Sequence, residues 1–196
     1  MSSEFGENIH ISKHPVLNHK ISILRSSETP AGTFRNTLRE VTYHLGYEAT
    51  STLTTKDIPL SVSVGKEKAE QHVDGTGQKI AERIALIPIL RSGLGMANGF
   101  LEVLPNAAVH HIGMYHIPNI APVQYFNRLP RKCDSDVAYV VDPVIASAET
   151  VLSVIAILKK VRLNIFVCYF VGICFDAYPL YIFSVCLVNN EFENLI

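Results

Sequence analysis

The sequence lacks an excess of charge of either sign. Its 196 residues include 17 Lys and Arg against 18 Asp and Glu, which gives a formal net charge of −1. This balance excludes a nucleic-acid-binding protein that depends on an overall positive charge, but it does not exclude a local cluster of basic residues. Hydrophobic residues make up 48% of the chain and charged residues only 18%. Such a composition favours collapse and excludes an intrinsically disordered chain.

Basic residues are absent after Arg162, and residues 163–196 carry only three acidic side chains in a nearly continuous apolar sequence. The segment 165–188 is long enough to cross a bilayer. However, Asp176 and Pro179 lie in its middle, and no basic residue follows it, which argues against a membrane span. The pattern therefore favours two buried strands joined by a turn, with a membrane-spanning segment as the alternative.

Metal-ligand spacing and a secretory leader are also missing. The four cysteines form no CxxC pair and have no histidine at ligand spacing, so no metal site is predicted. The first ten residues are polar and contain no apolar core of a signal peptide. We therefore expect a cytoplasmic protein with an N-terminal arm over residues 1–12 and a single domain over residues 13–196.

Strand and helix patterns alternate through the second half of the chain. Short apolar runs predict strands, and apolar residues at helical spacing predict helices. The strands are expected at 84–90, 109–114, 137–141 and 164–171, and the helices at 94–104 and 149–160. This order predicts an α/β domain with a mostly parallel central sheet flanked by helices.

The first half of the chain has a weaker pattern. Thr29 as N-cap and Pro30 at the first helical position predict the start of a helix. Residues 50–80 are polar. Within them, the charged, glycine-containing stretch KEKAEQHVDGTGQK at 66–79 indicates a loop or a solvent-exposed hairpin.

Two strand ends carry residues suited to ligand binding, because ligands of open α/β sheets bind beyond the carboxyl ends of the strands. In IPILRSGLGMANG, Arg91 and the following glycines form a strand-to-helix turn that could hold an anion, or simply a tight turn. In VAYVVDPVIASAET, Asp142 is expected at the end of a strand. Its carboxylate could bind sugar hydroxyls or hydrated Mg²⁺, or cap a turn before Pro143. Ser147 or Thr150 could cap the next helix or bind a phosphate oxygen.

Several segments of the chain resemble the uracil phosphoribosyltransferase family. They are KHPVLNHKISILR at 13–25, TPAGTFRNTLREV at 29–41, IPILRSGLGM at 87–96, LPNAAVHHIGMY at 104–115, APVQYFNRLP at 121–130 and VVDPVIASAET at 140–150. The resemblance implies a phosphoribosyltransferase-like α/β fold with an N-terminal helical segment and a small hairpin flap. It also implies association into a homo-oligomer.

The family resemblance implies a reaction of pyrimidine salvage. A member transfers the phosphoribosyl group of 5-phosphoribosyl 1-diphosphate to N1 of uracil, which gives UMP and diphosphate, with Mg²⁺ as cofactor. Asp142 would be the catalytic residue and face the ribose hydroxyls, and Arg91 would bind the diphosphate. The other residues implied in phosphoribosyl diphosphate binding are Pro143, Val144, Ile145, Ala146, Ser147, Ala148, Glu149, Thr150 and His116.

Two departures from the family pattern lie within this site. The family signature reads like DPMLATGGS, whereas Ala148 and Glu149 replace both glycines here. Glu149 would repel a phosphate if it points inward, and it is a favourable acid in the first helical turn if it points outward. His116 stands where the family has a second diphosphate-binding arginine. It could bind diphosphate weakly or be a surface loop residue.

The end of the chain is the third departure. The family closes with a segment like GLGDAGDR that reads the uracil edge, and this sequence contains no such segment. The helix expected between the last two strands is also missing from the pattern. We therefore expect a domain truncated at its C-terminus and assign no uracil-binding residue. The alternatives are a transferase with a drifted site, and an inactive family member that serves as a scaffold or partner subunit or is a degenerate gene product.

Overall fold

The structure is a computed structural model that describes residues 9–10, 12–64, 71–117, 120–130, 134–145, 149–160, 167–174 and 181–188. Four helices occur in these residues: α1 (Pro15–Arg25), α2 (Ala31–Ala49), α3 (Leu94–Val103) and α4 (Glu149–Lys160). The strands are β1 (Ile9–His10), β2 (Thr55–Val64), β3 (Gln71–Ile80), β4 (Ile84–Leu90), β5 (Ala108–Val109), β6 (Ile112–Ile117), β7 (Ile120–Asn127), β8 (Val137–Ile145), β9 (Val167–Cys174) and β10 (Tyr181–Val188).

The main sheet has the strand order β1-β10-β9-β8-β4-β6-β7, and β5 also pairs with β4. The central strands β9, β8, β4 and β6 run parallel to one another. Antiparallel strands flank them, β7 next to β6 and β10 next to β9. The predicted α/β class with a mostly parallel sheet is confirmed, with antiparallel strands at both edges.

Helices cover both faces of the central strands. Ile84 and Leu86 of β4 belong to a buried cluster with α1, α2 and α3, whereas Ala85 and Ile87 belong to a second cluster with α4. Successive strand residues point to opposite faces of a sheet. Because both faces are covered, β4 is apolar throughout and does not alternate.

The N-terminal helices differ from the predictions in two ways. Helix α2 begins at Ala31 with Pro30 in the N-cap position and without a side-chain cap. Thr29 was wrongly expected as the N-cap, because its Oγ1 donates instead to the carbonyl oxygen of Ile23 at 2.6 Å. The residue pattern did not predict helix α1, although it buries Leu17 and Ile21 on one face. Together α1 and α2 form the N-terminal helical segment that the family resemblance implied.

Strands β2 and β3 form a separate two-stranded sheet, in register from Thr55 opposite Ile80 to Val64 opposite Gln71. Residues 71–79 of the stretch predicted as a loop or hairpin lie in β3, which confirms the hairpin alternative for them, and residues 66–70 lie outside the described residues. At its base, the carboxylate of Glu82 accepts hydrogen bonds from the backbone N–H of Thr54 at 2.9 Å and its hydroxyl at 2.8 Å.

The apolar final segment contains the antiparallel strands β9 and β10, which confirms the two strands predicted there. The residues predicted to form the turn between them lie outside the described residues. Only residues 175–180 separate them, too few for the crossover helix that a parallel connection needs. Ile9 and His10, within the expected N-terminal arm, pair with Val185 and Ser184 of β10. No helix in the described parts of the chain is long and apolar enough to span a membrane.

Candidate active site

Asp142 lies where β8 leaves its pairing with β4. The last pair between these strands joins Pro88 and Val141. Contrary to the prediction, β8 does not end at Asp142 but continues to Ile145. The register with β9 shifts between Val141 and Val144, which leaves Asp142 in a bulge where Pro143 has no N–H to donate to the sheet. The bulge presents the Asp142 carboxylate at the carboxyl end of a central strand.

The turn after β4 reaches this carboxylate directly. Ser92 Oγ donates a hydrogen bond of 2.7 Å to Oδ1 of Asp142. The next residue, Gly93, lies so close to β8 that an added Cβ would be 2.5 Å from the carbonyl oxygen of Val141. A side chain at Gly93 would push the turn away from β8. The absence of a side chain there therefore lets Ser92 reach Asp142.

Burial raises the pKa of Asp142 from 3.8 to about 6. The side chain is only 9% exposed, and loss of water disfavours the charged form of a carboxyl group. The hydrogen bonds from Ser92 and from the backbone N–H of Val144 lower the pKa and partly oppose this rise. At pH 7 Asp142 is therefore mostly ionised and can accept hydrogen bonds from a ligand.

Arg91 is exposed at the start of the same turn, and the peptide bond between Leu90 and Arg91 is cis. Its guanidinium provides a permanent positive charge next to Ser92 in sequence. Arg91 thus follows β4, and Asp142 lies within the last residues of the neighbouring parallel strand β8.

Two of the substituted residues in the predicted site, His116 and Glu149, contact each other. His116 Nε2 lies 2.8 Å from Oε2 of Glu149, and both side chains are about half exposed, 47% and 53%. His116 belongs to strand β6, so it is not the loop residue that was expected as one alternative. Glu149 is the first residue of α4, and α4 packs on β6 and β7. A carboxylate of the chain itself therefore occupies a position at the start of a helix, where anions are favoured.

The other predicted binding residues fall on three parts of the chain. Pro143, Val144 and Ile145 are in β8, with Pro143 buried and Val144 46% exposed. Thr150 is the second residue of α4. Ala146, Ser147 and Ala148 lie outside the described residues. In the described ranges, no group of three or more His, Cys, Asp and Glu side chains could hold a metal ion.

Comparisons with known proteins identify the family of this chain. A family model described as uracil phosphoribosyltransferase matches residues 11–174. The chain belongs to the uracil phosphoribosyltransferase family. The match covers all the segments in which the sequence resembles the family, and it includes Arg91, His116, Asp142 and Glu149.

Individual relatives agree with the family assignment. The chain is 38% identical over 154 residues to a uracil phosphoribosyltransferase of Roseiflexus sp. (strain RS-1), covering 78% of this chain and 70% of that protein. It is 40% identical over 149 residues to one of Dictyoglomus turgidum, covering 74% and 68%. The solved structure of the AQ2163 protein from Aquifex aeolicus matches with a TM-score of 0.72 at 25% identity, covering 83% of this chain and 74% of that one.

Ser92 is the site residue that the sequence did not reveal. Its partner Asp142 is 50 positions away, and their contact depends on the pairing of β4 with β8. The one available signal was the position of both residues after predicted strands, since parallel strands end at the same sheet edge.

Proposed function

We propose that this chain is a uracil phosphoribosyltransferase-like protein of pyrimidine salvage that binds 5-phosphoribosyl 1-diphosphate at the carboxyl ends of β4 and β8. The reaction transfers the phosphoribosyl group to N1 of uracil and releases diphosphate. The observation that carries the proposal is the buried carboxylate of Asp142, hydrogen-bonded to Ser92 next to Arg91. Its relatives bear the name of this activity.

The proposed roles follow from the charges at this edge. Arg91 would stabilise the departing diphosphate, and Asp142 would orient the ribose by accepting hydrogen bonds from its hydroxyls. Both groups act by positioning and electrostatics, which suits a reaction whose anomeric carbon becomes positively charged. Because burial holds the pKa of Asp142 near 6, this acceptor role weakens as the pH falls below that value.

Mg²⁺ belongs to the proposal only as a companion of the diphosphate. The residues that the structure describes provide no cluster of three or more ligating side chains. Mg²⁺ commonly keeps several waters and binds substrate phosphates. The diphosphate group of the substrate would therefore hold the ion, and the ion would offset part of the negative charge of that group. The proposal further includes small-molecule partners alone, a cytoplasmic location and association into a homo-oligomer.

A second candidate is an inactive family member that serves as a scaffold or partner subunit. The bond between His116 and Glu149 favours it, because a negative side chain stands at the start of α4, within the segment expected to hold a phosphate. Like charges about 4 Å apart repel by about 1 kcal/mol in water and about 4 kcal/mol at an effective dielectric of about 20. The first figure applies more closely here, since Glu149 is 53% exposed.

One assay separates the two candidates. Purified protein is incubated with labelled uracil, 5-phosphoribosyl 1-diphosphate and Mg²⁺, and UMP is measured against a heat-killed control. UMP formation that Asp142→Asn abolishes supports the transferase. If no UMP forms, a calorimetric titration with 5-phosphoribosyl 1-diphosphate follows. Micromolar affinity would then show that the protein binds 5-phosphoribosyl 1-diphosphate without turning it over. The absence of binding heat would support the second candidate, an inactive scaffold or partner subunit.

A further inference from the structure

We propose that Ser92 is a positioning residue that fixes the orientation of the Asp142 carboxylate and preserves it as a hydrogen-bond acceptor for the ligand. The inference rests on the function proposed above, because it assigns Asp142 a role toward ribose hydroxyls. Ser92 itself touches Asp142, and the proposal assigns it no contact with the substrate.

The geometry restricts how Asp142 can turn. Ser92 Oγ donates to Oδ1 at 2.7 Å from the turn after β4, and the backbone N–H of Val144 donates to the same carboxylate from β8. Two donors, one in the turn after β4 and one in β8, fix a planar carboxylate better than one donor does. A carboxylate has about four acceptor positions. Acceptor positions therefore remain for a ligand at the sheet edge.

The position of Ser92 is itself built into the fold. The N–H of Gly93 donates to the carbonyl oxygen of Ile89 at 2.8 Å, and the missing side chain of Gly93 lets the turn lie against the carbonyl of Val141. The hydroxyl is thus held by a rigid strand end and a close backbone contact. A side chain positioned this way loses little freedom when it forms its hydrogen bond.

The electrostatics agree with this role. Asp142 is buried, and the Ser92 hydrogen bond opposes the rise of its pKa by stabilising the charged form. Of the charged and titratable groups on the neighbouring elements, Arg91 follows β4, His116 lies in β6 and Glu149 begins α4. Burial and the two hydrogen bonds are the causes of the Asp142 pKa shift. Removal of the Ser92 hydroxyl therefore changes the ionisation of Asp142 directly.

The test compares Ser92→Ala with Ser92→Thr, which retains a hydroxyl, and with Ser92→Cys, a weak donor of similar size. The control is Ser22→Ala on α1, whose hydroxyl donates to the backbone carbonyl of Asn18. The first readout is the pH titration of the Asp142 carboxyl carbon by NMR. The midpoint of the Asp142 titration should rise by about one pH unit in the Ala and Cys variants. In the Thr variant it should equal the wild-type midpoint.

The second readout is the KM for 5-phosphoribosyl 1-diphosphate between pH 5.5 and 8. We expect KM to rise about fivefold at pH 6 in Ser92→Ala, because a midpoint raised by about one pH unit leaves about a fifth as much ionised Asp142 at that pH. KM should approach the wild-type value at pH 8, and Ser92→Thr should restore it. If the wild-type protein forms no UMP, calorimetric affinity at the two pH values replaces KM. An unchanged Asp142 titration in Ser92→Ala and Ser92→Cys overturns the role of Ser92, whether or not the protein makes UMP. A raised midpoint without any change in affinity or KM reduces Ser92 to a purely structural partner and also overturns it.

Discussion

At the scale of single residues, Asp142 combines burial with charge. The sequence predicted its place at the sheet edge because an apolar strand precedes it and a proline follows. Its hydrogen bond with Ser92 could not be predicted, since no local spacing pattern connects residues 50 positions apart. For the same reason the sequence did not predict the orientation of Glu149. In the structure its carboxylate contacts His116 of β6.

We predict that Asp142→Asn stabilises the protein at pH 8 and abolishes turnover. The folded pKa of about 6 exceeds the ordinary 3.8, so the wild-type protein loses stability as the pH rises from about 4 through 6. The full shift corresponds to about 3 kcal/mol. The new amide N–H₂ needs acceptors of its own, so we expect a gain of about 1 kcal/mol, or about 2–4 °C in Tm.

Scanning calorimetry at pH 4.5 and pH 8 measures this difference. Asp74→Asn on the exposed surface of β3 is the matched control and should leave Tm unchanged. A lower Tm for Asp142→Asn at pH 8 would contradict the prediction.

A second residue-scale prediction concerns Glu149. Replacing it with Gln removes a negative charge from the first turn of α4, so the affinity for 5-phosphoribosyl 1-diphosphate should rise about fivefold. Calorimetric titration measures the change, with Glu28→Gln on the exposed surface as the control. Equal affinities of wild type and Glu149→Gln would show that this carboxylate does not oppose phosphate binding.

At the scale of elements, sequence patterns succeeded where the apolar period and the end signals agreed. Helix α4 was predicted with its observed limits, from Glu149 at its start to Lys160 at its end. The strand expected at 109–114 is divided between β5 and β6, because short apolar runs do not fix strand limits. Helix α1 was missed although Leu17 and Ile21 lie at helical spacing after a proline at the first helical position.

The packing of α2 on α3 gives an element-scale prediction. A Cβ at Gly99 of α3 would lie 2.7 Å from the backbone oxygen of Arg39 on α2, so Gly99→Ala forces the helices apart. We expect a loss of about 2 kcal/mol, or about 4–8 °C in Tm. In contrast, a Cβ at Gly32 of α2 meets no atom within 4 Å, and Gly32→Ala should stabilise by up to about 1 kcal/mol. Thermal unfolding of both variants tests the pair, and equal effects of the two would contradict it.

At the scale of the whole molecule, the candidate residues come from three neighbouring strands. Arg91 and Ser92 follow β4, Asp142 lies near the end of β8, and His116 is near the end of β6. Parallel strands bring these distant segments to one edge. The sequence predicted this convergence in outline because the α/β alternation was clear, whereas the bond between His116 and Glu149 depends on α4 packing against β6.

The hairpin of β2 and β3 gives the prediction for the whole molecule. It forms a sheet of its own, and isolated two-stranded sheets are marginally stable in water. Leu60 and Val62 lie on one face of β2 and are 41% and 49% exposed. We therefore expect a second copy of the chain to cover this face. Size exclusion with light scattering should then give twice the chain mass of 21.7 kDa. The double variant Leu60→Ser and Val62→Ser should shift the protein toward the monomer, whereas Asp57→Ser on the opposite face should not. A wild-type protein that remains monomeric at high micromolar concentration would contradict this expectation, because the apolar face would then be stable in water without a partner.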